Sequence, residues 1–130
     1  MDRSTPEPSD LCLRDLFSDE AYDRLARELS AQYPSADPFP HVVTDNFLPK
    51  DIADRLVEEF PDPAKIDWHR QNNPRSRKLS TENLDEIGSF SRQLLHEFNS
   101  PGALRFLERL SGIKGLVPDP YFVGGGLHQI

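Results

Sequence analysis

Four stretches of the chain repeat apolar residues at the period of a helix. In the first, Tyr22, Leu25, Ala26, Leu29 and Tyr33 share one face. Ser18 stands where an N-cap is wanted, and Asp19 and Glu20 suit the positive helix end. Pro34-Ser35-Ala36-Asp37-Pro38 ends this helix and reads as a linker. A short apolar lead-in, Leu11, Leu13, Leu16 and Phe17, precedes it. In the second stretch Ile52, Leu56 and Phe60, flanked by Ala53 and Val57, form a buried stripe. Pro49 falls near its first turn, Pro61-Asp62-Pro63 stops it, and Asp54, Arg55, Glu58 and Glu59 are expected to face water. Phe90, Leu94, Leu95 and Phe98 give the third helix. Ala103, Phe106, Leu107 and Leu110 give the fourth, opened by Ser100-Pro101 and closed by Gly112.

Elsewhere the period shortens. Phe39-Pro40-His41-Val42-Val43 is aromatic and β-branched and predicts a short strand, followed by a turn at Thr44-Asp45-Asn46. Ile66-Asp67-Trp68-His69 alternates as a strand does, and Gln71-Asn72-Asn73-Pro74 reads as a loop. Arg75-Ser76-Arg77-Lys78-Leu79 alternates again, with Arg75 and Arg77 on one face and Ser76 and Lys78 on the other. Leu116-Val117 is a candidate pairing segment. Gly124-Gly125-Gly126 leads into Leu127-His128-Gln129-Ile130, which reads as the beginning of a strand. A glycine run at such a place marks a bulge, a bend or a close approach of ligand to backbone. The predicted class is α+β, a helical layer waiting for a sheet to cover it. No turn or charged tail closes the last strand, so the chain is expected to be cut in mid-element.

Composition narrows the partners. The chain has 130 residues, enough for one domain, but it is lean at 36% hydrophobic with 12 prolines. A net charge of −7 argues against nucleic acid and anionic membrane, which call for a basic surface. No apolar run approaches a membrane span, and the start, Met1 to Pro6, lacks an apolar signal core. The single cysteine, Cys12, excludes an internal disulfide, fits a reducing compartment and reads as a small apolar filler. The expectation is a cytoplasmic-type protein.

The candidate chemistry is sparse. A non-haem iron site needs two histidines and a carboxylate, and its compact form is His-x-Asp or His-x-Glu. None of His41, His69, His96 and His128 has an acid at that spacing. Asp67-Trp68-His69 has the order reversed and reads better as a polar strand face. His96 lies at a polar or boundary position of its helix, and His41 reads as a structural hydrogen-bonding residue. There is no zinc His-Glu-x-x-His, no nucleophile elbow and no dinucleotide or phosphate loop. Arg75, Arg77 and Lys78 suit an anionic substrate held by charge-assisted bonds, but read better as a solvated edge strand protected by charge.

Two stretches resemble one family. Pro38-Phe39-Pro40-His41-Val42-Val43-Thr44-Asp45-Asn46-Phe47-Leu48-Pro49, with the helix that ends at Phe60-Pro61, is similar to the opening segment of bacterial Fe(II)/2-oxoglutarate-dependent oxygenases of the prolyl-hydroxylase-like type. The second is the order of a helix, Gly112-Ile113, Gly115-Leu116-Val117-Pro118-Asp119-Pro120, and Gly124 to Ile130, which resembles the approach to that family's His-x-Asp motif. Asp67-Trp68-His69 through Leu79 also resembles members of this group. The resemblance implies a double-stranded β-helix, or jelly roll, flanked by helices. It implies Fe(II) and 2-oxoglutarate as cofactors of the full-length protein, and hydroxylation of a C–H bond in a small molecule or peptide.

On that reading residues 1–10 are a disordered N-terminus, 11–37 a helical extension and linker, and 38–130 the N-terminal portion of the oxygenase domain. No residue here matches the family's three iron ligands or its 2-oxoglutarate-binding base, so the chain alone is expected to be inactive and to bind neither cofactor. Arg75, Arg77, Lys78 and His128 remain as candidate substrate-binding residues, His128 lining the cavity from the strand ahead of the metal motif. The alternative is a non-catalytic small helical interaction module.

Overall fold

The computed structural model describes residues 12–62, 64, 69–73, 76–81, 87–123 and 125–129. Four helices dominate these residues: α1 (Glu20–Ser30), α2 (Lys50–Glu59), α3 (Ser89–Phe98) and α4 (Pro101–Ser111). Three strands, β1 (His69–Asn73), β2 (Ser76–Thr81) and β3 (Leu127–Gln129), form an antiparallel sheet in that order, with β2 in the middle.

The core belongs to the helices. Leu13 and Phe17 join Tyr22, Ala26 and Leu29 of α1, Ile52 of α2, Phe90 and Leu94 of α3, and Ala103, Phe106 and Leu110 of α4 in one cluster. The lead-in before α1 is therefore core. It turns through a short 3-10 segment, Leu16–Ser18, and seats Phe17 among the rings of Tyr22, Phe47 and Phe98, with centroids 5.1, 5.8 and 5.1 Å away. Gly102 allows this: a Cβ there would stand 2.9 Å from the backbone of Phe17 and Ser18, closer than any side chain tolerates. Asp23 of α1 and Arg109 of α4 form an ion pair beside the contact.

Capping explains where the helices start. Ser100 accepts from the Ala103 amide at 3.3 Å, Pro101 opens the first turn, and Gly112 ends α4 in the left-handed conformation at φ 76°, as the sequence predicts. The cap of α1 is Asp19 and not Ser18, because Ser18 is taken up in the 3-10 turn; the Asp19 carboxylate accepts from the Ala21 amide at 2.8 Å. Helix α3 is capped from another helix. Glu59 of α2 accepts from the Ser91 amide at 3.0 Å and pairs with Arg55 at 3.6 Å, while the Arg55 guanidinium lies 5.7 Å from the Phe90 ring centre. Arg55 and Glu59 thus turn inward, against the expectation that they face water. An anion at the positive helix end and a cation on an aromatic face both favour this.

Other expectations are corrected. Residues 39–43 form no strand, 39 and 40 lying in a bend, and His41 bonds its Nδ1 to the Phe39 carbonyl at 2.7 Å, a structural role. Residues 71–73, expected as loop, are the end of β1, because the ladder with β2 runs on to Asn73 opposite Ser76. Leu116 and Val117 lie in no strand; Leu116 N–H goes to the Glu108 carboxylate at 3.1 Å, and Val117 is exposed. Cys12 is exposed and so is no core filler. The strand at Leu127 forms as expected. Residues 1–10, Asp67, Trp68, Arg75, Gly124 and Ile130 lie outside the described residues.

Candidate functional site

The sheet meets the helices on one face. Leu127 of β3 lines an apolar groove of about 260 Å³ with Leu56 and Val57 of α2, Phe60 at the end of that helix, and Leu94 and Leu95 of α3. Its neighbour His128 is exposed. Successive residues of a strand alternate between faces, and directly paired residues share one. The register therefore divides the sheet into two sets. Thr81 pairs with Leu127, the residue that meets the helices, and Leu79 pairs with Gln129 and with Arg70. Ser80 pairs with the exposed His128.

In that second set the ladders align three strands in one row. His69 pairs with Ser80, and Ser80 pairs with His128. Two histidines nearly half the chain apart in sequence thus stand on either side of one serine. Lys78, paired with Gln71, is the next position of β2 on the same side. Adjacent strands lie roughly 4.8 Å apart, so the two imidazole-bearing positions are separated by about 10 Å across the row.

Of the residues singled out from sequence, Arg77 and Lys78 lie in β2, paired with Asn72 and Gln71 of β1, His128 lies in β3, paired with Ser80, and Arg75 lies outside the described residues. In the sequence His69 has only Asp67 as a carboxylate neighbour at i, i+2 spacing. Its relation to His128 is set by pairing across β2, which has no local signature in the sequence.

The segment that delivers β3 is fastened to α3 and α4. The Asn99 side-chain amide donates to the Asp119 carbonyl at 2.7 Å. The Asp119 carboxylate accepts from the amides of Tyr121 and Val123 at 2.9 and 2.8 Å. Phe122, held at φ 50°, sets its ring edge-on to the His96 imidazole at 5.0 Å. His96 is therefore a packing partner of this strap. Gly115, ahead of it, holds φ at 75°, which glycine adopts without strain.

Among the described residues no group of three or more His, Cys, Asp or Glu side chains is arranged to hold a metal ion. No described helix is long and apolar enough to cross a membrane. Comparison with protein families, with curated proteins and with solved structures finds no match to this chain.

Proposed function

We propose that these residues supply the helical layer and the first strands of a jelly-roll oxygenase of the Fe(II)/2-oxoglutarate-dependent, prolyl-hydroxylase-like type, acting as a hydroxylase on a small molecule or peptide in a reducing, cytoplasmic compartment. The observation that carries this reading is the two-sided sheet. One side leans on α2 and α3 through Leu127, and its neighbour His128 is exposed. A jelly-roll enzyme backed by helices needs that division: one face of the sheet buried on the helices, and the other turned to a reaction cavity. The order of segments that resembles the family supports it from the sequence.

The described residues do not fit the iron of such an enzyme, since they form no three-ligand cluster. On this proposal the ligands belong to residues outside those described, and no step of catalysis is assigned to this chain. The coding sequence beyond Ile130 is the test. A His-x-Asp or His-x-Glu pair within the next few tens of codons is expected, and its absence would count against an oxygenase. The purified 130-residue chain should form no succinate from 2-oxoglutarate with Fe(II). Turnover by that chain would contradict the assignment of the ligands elsewhere.

A second reading, a non-catalytic interaction module, draws on the apolar residues left in solvent. Val57 is 76% exposed and Tyr121 85% exposed. A cooperative melt of the soluble monomeric chain, with no His-x-Asp/Glu downstream, would favour it.

A further inference from the structure

Helix α1 and residues 45–49 frame a second groove, of about 440 Å³, which shares no residue with the one beside β3. Its apolar surface comes from Leu16, Tyr22 and Leu25 on one side and Phe47 and Pro49 on the other, and the Tyr22 hydroxyl joins the two by donating to the Phe47 carbonyl at 2.8 Å. Its charge is one-sided. Asp19, Glu28 and Asp45 line it against a single cation, Arg24, which already faces Glu20 at 4.0 Å. Elsewhere the molecule pairs its acids: Asp23 with Arg109, Asp54 with Lys50 and Glu59 with Arg55. The carboxylates of Glu28 and Asp45 have no such partner among the described residues, and Asp19 gives one oxygen to the Ala21 amide. Three carboxylates around an apolar surface repel one another until a cation joins them.

The occupant that complements this groove is basic and carries apolar stems. Lysine and arginine side chains meet both needs, since they lay their methylenes on apolar surface and keep the charged head at its edge. A free amine would stay mostly in water here, because Asp19, Glu28, Asp45 and Pro49 are all exposed, whereas small-molecule pockets cover most of what they bind. A second copy of the chain is disfavoured by its own net charge of −7. We propose that this groove docks a basic stretch of a partner polypeptide, with Asp19, Glu28 and Asp45 receiving its cationic heads. The helix sets the spacing. Asp19, the N-cap, and Glu28 stand about 13 Å apart along the axis of α1. An extended peptide covers that length in about four residues, so two basic residues four positions apart match both ends. The inference stands on the groove and its charge, and it holds whether or not the chain belongs to an oxygenase.

The test uses the full 130-residue chain at low ionic strength and three probes: the peptide Gly-Arg-Ala-Leu-Ala-Arg-Gly, its counterpart with glutamate in place of arginine, and agmatine. Amide chemical shifts follow each titration. The basic peptide is expected to give saturable shifts centred on Leu25 and Phe47, agmatine to bind more weakly, and the acidic peptide not to bind. Glu28→Gln combined with Asp45→Asn should weaken the basic peptide about fivefold, the value of two exposed ion pairs. Asp54→Asn combined with Glu58→Gln is the matched control: it removes the same charge from exposed positions of α2, outside the groove. An equal loss from the control would reduce the effect to diffuse charge and overturn the site. So would shifts that never saturate or that centre elsewhere, and equal binding of the acidic peptide. Agmatine binding as tightly as the peptide would make the groove a small-cation site and overturn the docking of a polypeptide. Because the mapping is made on the unaltered chain, it decides the matter even where a variant fails to fold.

Discussion

The α1–α4 side of the molecule and the α2–α3 side are built from the same kind of amphipathic helix, yet they end differently. Between α1 and α4, Ala26 is 0% exposed and Phe17 2%, and the rings of Phe47, Phe98 and Phe106 pack on Phe17 or Tyr22. On the other side α3 buries Phe90 and Leu94 but α2 buries Ile52 alone among its described residues; Val57 is 76% exposed, and Phe60 and Phe98 stand at 37% and 41% along an open groove. Apolar periodicity thus tells which face of a helix wants cover, while the degree of cover depends on what packs there. One side is a finished core and the other a seam.

Mutations can break that comparison. Phe17→Ala should cost about 3–5 kcal/mol, the range for emptying an aromatic site in a packed core. Val57→Ser should stay within about 0.5 kcal/mol, as expected for an exposed position. Urea denaturation of the two variants measures both. A cost at Val57 approaching that at Phe17 would mean that the seam is as well packed as the core.

The two close-packed glycines sharpen the contrast. Gly102→Ala drives a Cβ against the backbone of the 3-10 turn, 2.9 Å from Phe17 C and Ser18 N, and neither can step aside. We expect about 1–3 kcal/mol, as for overpacking a core. Gly88→Ala meets only the flexible Glu59 carboxylate, which can swing away and give up its bond to the Ser91 amide. That should cost about 1 kcal/mol. The reverse order of melting temperatures would show that the Glu59 cap, and not the α4 contact, is the tighter joint.

Tyr22→Phe probes the same core through a single atom. The Tyr22 hydroxyl donates to the Phe47 carbonyl at 2.8 Å and so ties the segment after the linker to α1. Losing it should cost about 1 kcal/mol, with the aromatic packing unchanged. A neutral result would leave the ring contacts at 5.3 and 6.2 Å, to Phe47 and Phe106, as the whole of the attachment.

The helices were legible because their signals are local. Ser100-Pro101 and Gly112 bracket α4 at both ends, and the spacing of Ala103, Phe106 and Leu110 names its buried face. What the sequence hid is non-local. Ser18 and Asp19 are equally good caps in isolation, and tertiary placement of Phe17 chooses between them. Phe39 to Val43 has strand composition but finds no described partner, and composition without a partner makes no strand. Glu59 reads as a surface acid until the start of α3 is brought to it. The candidate site was half visible: the basic run at Arg77 and Lys78 stands out in composition, whereas the row of His69, Ser80 and His128 exists only once β2 pairs on both sides.

The smallest effect is electrostatic and tests the joint between the two sides, where α3 meets the lead-in to α1. The Glu97 carboxyl titrates above the ordinary carboxylate range, first because burial disfavours its charge and second because Asp15 lies near. Its Oε2 is buried with no hydrogen-bond partner among the described residues. A carboxyl with a raised folded-state pKa binds protons more tightly in the native state than in the unfolded one. Its penalty is therefore full above the folded value, fades as pH falls through the window, and is absent below the unfolded value. Glu97→Gln should raise the urea midpoint at neutral pH and leave it unchanged below the ordinary carboxylate range. The gain should be modest, since most of the side chain's surroundings are open to screening. An equal shift at both pH values would assign the effect to packing and remove the charge from the account.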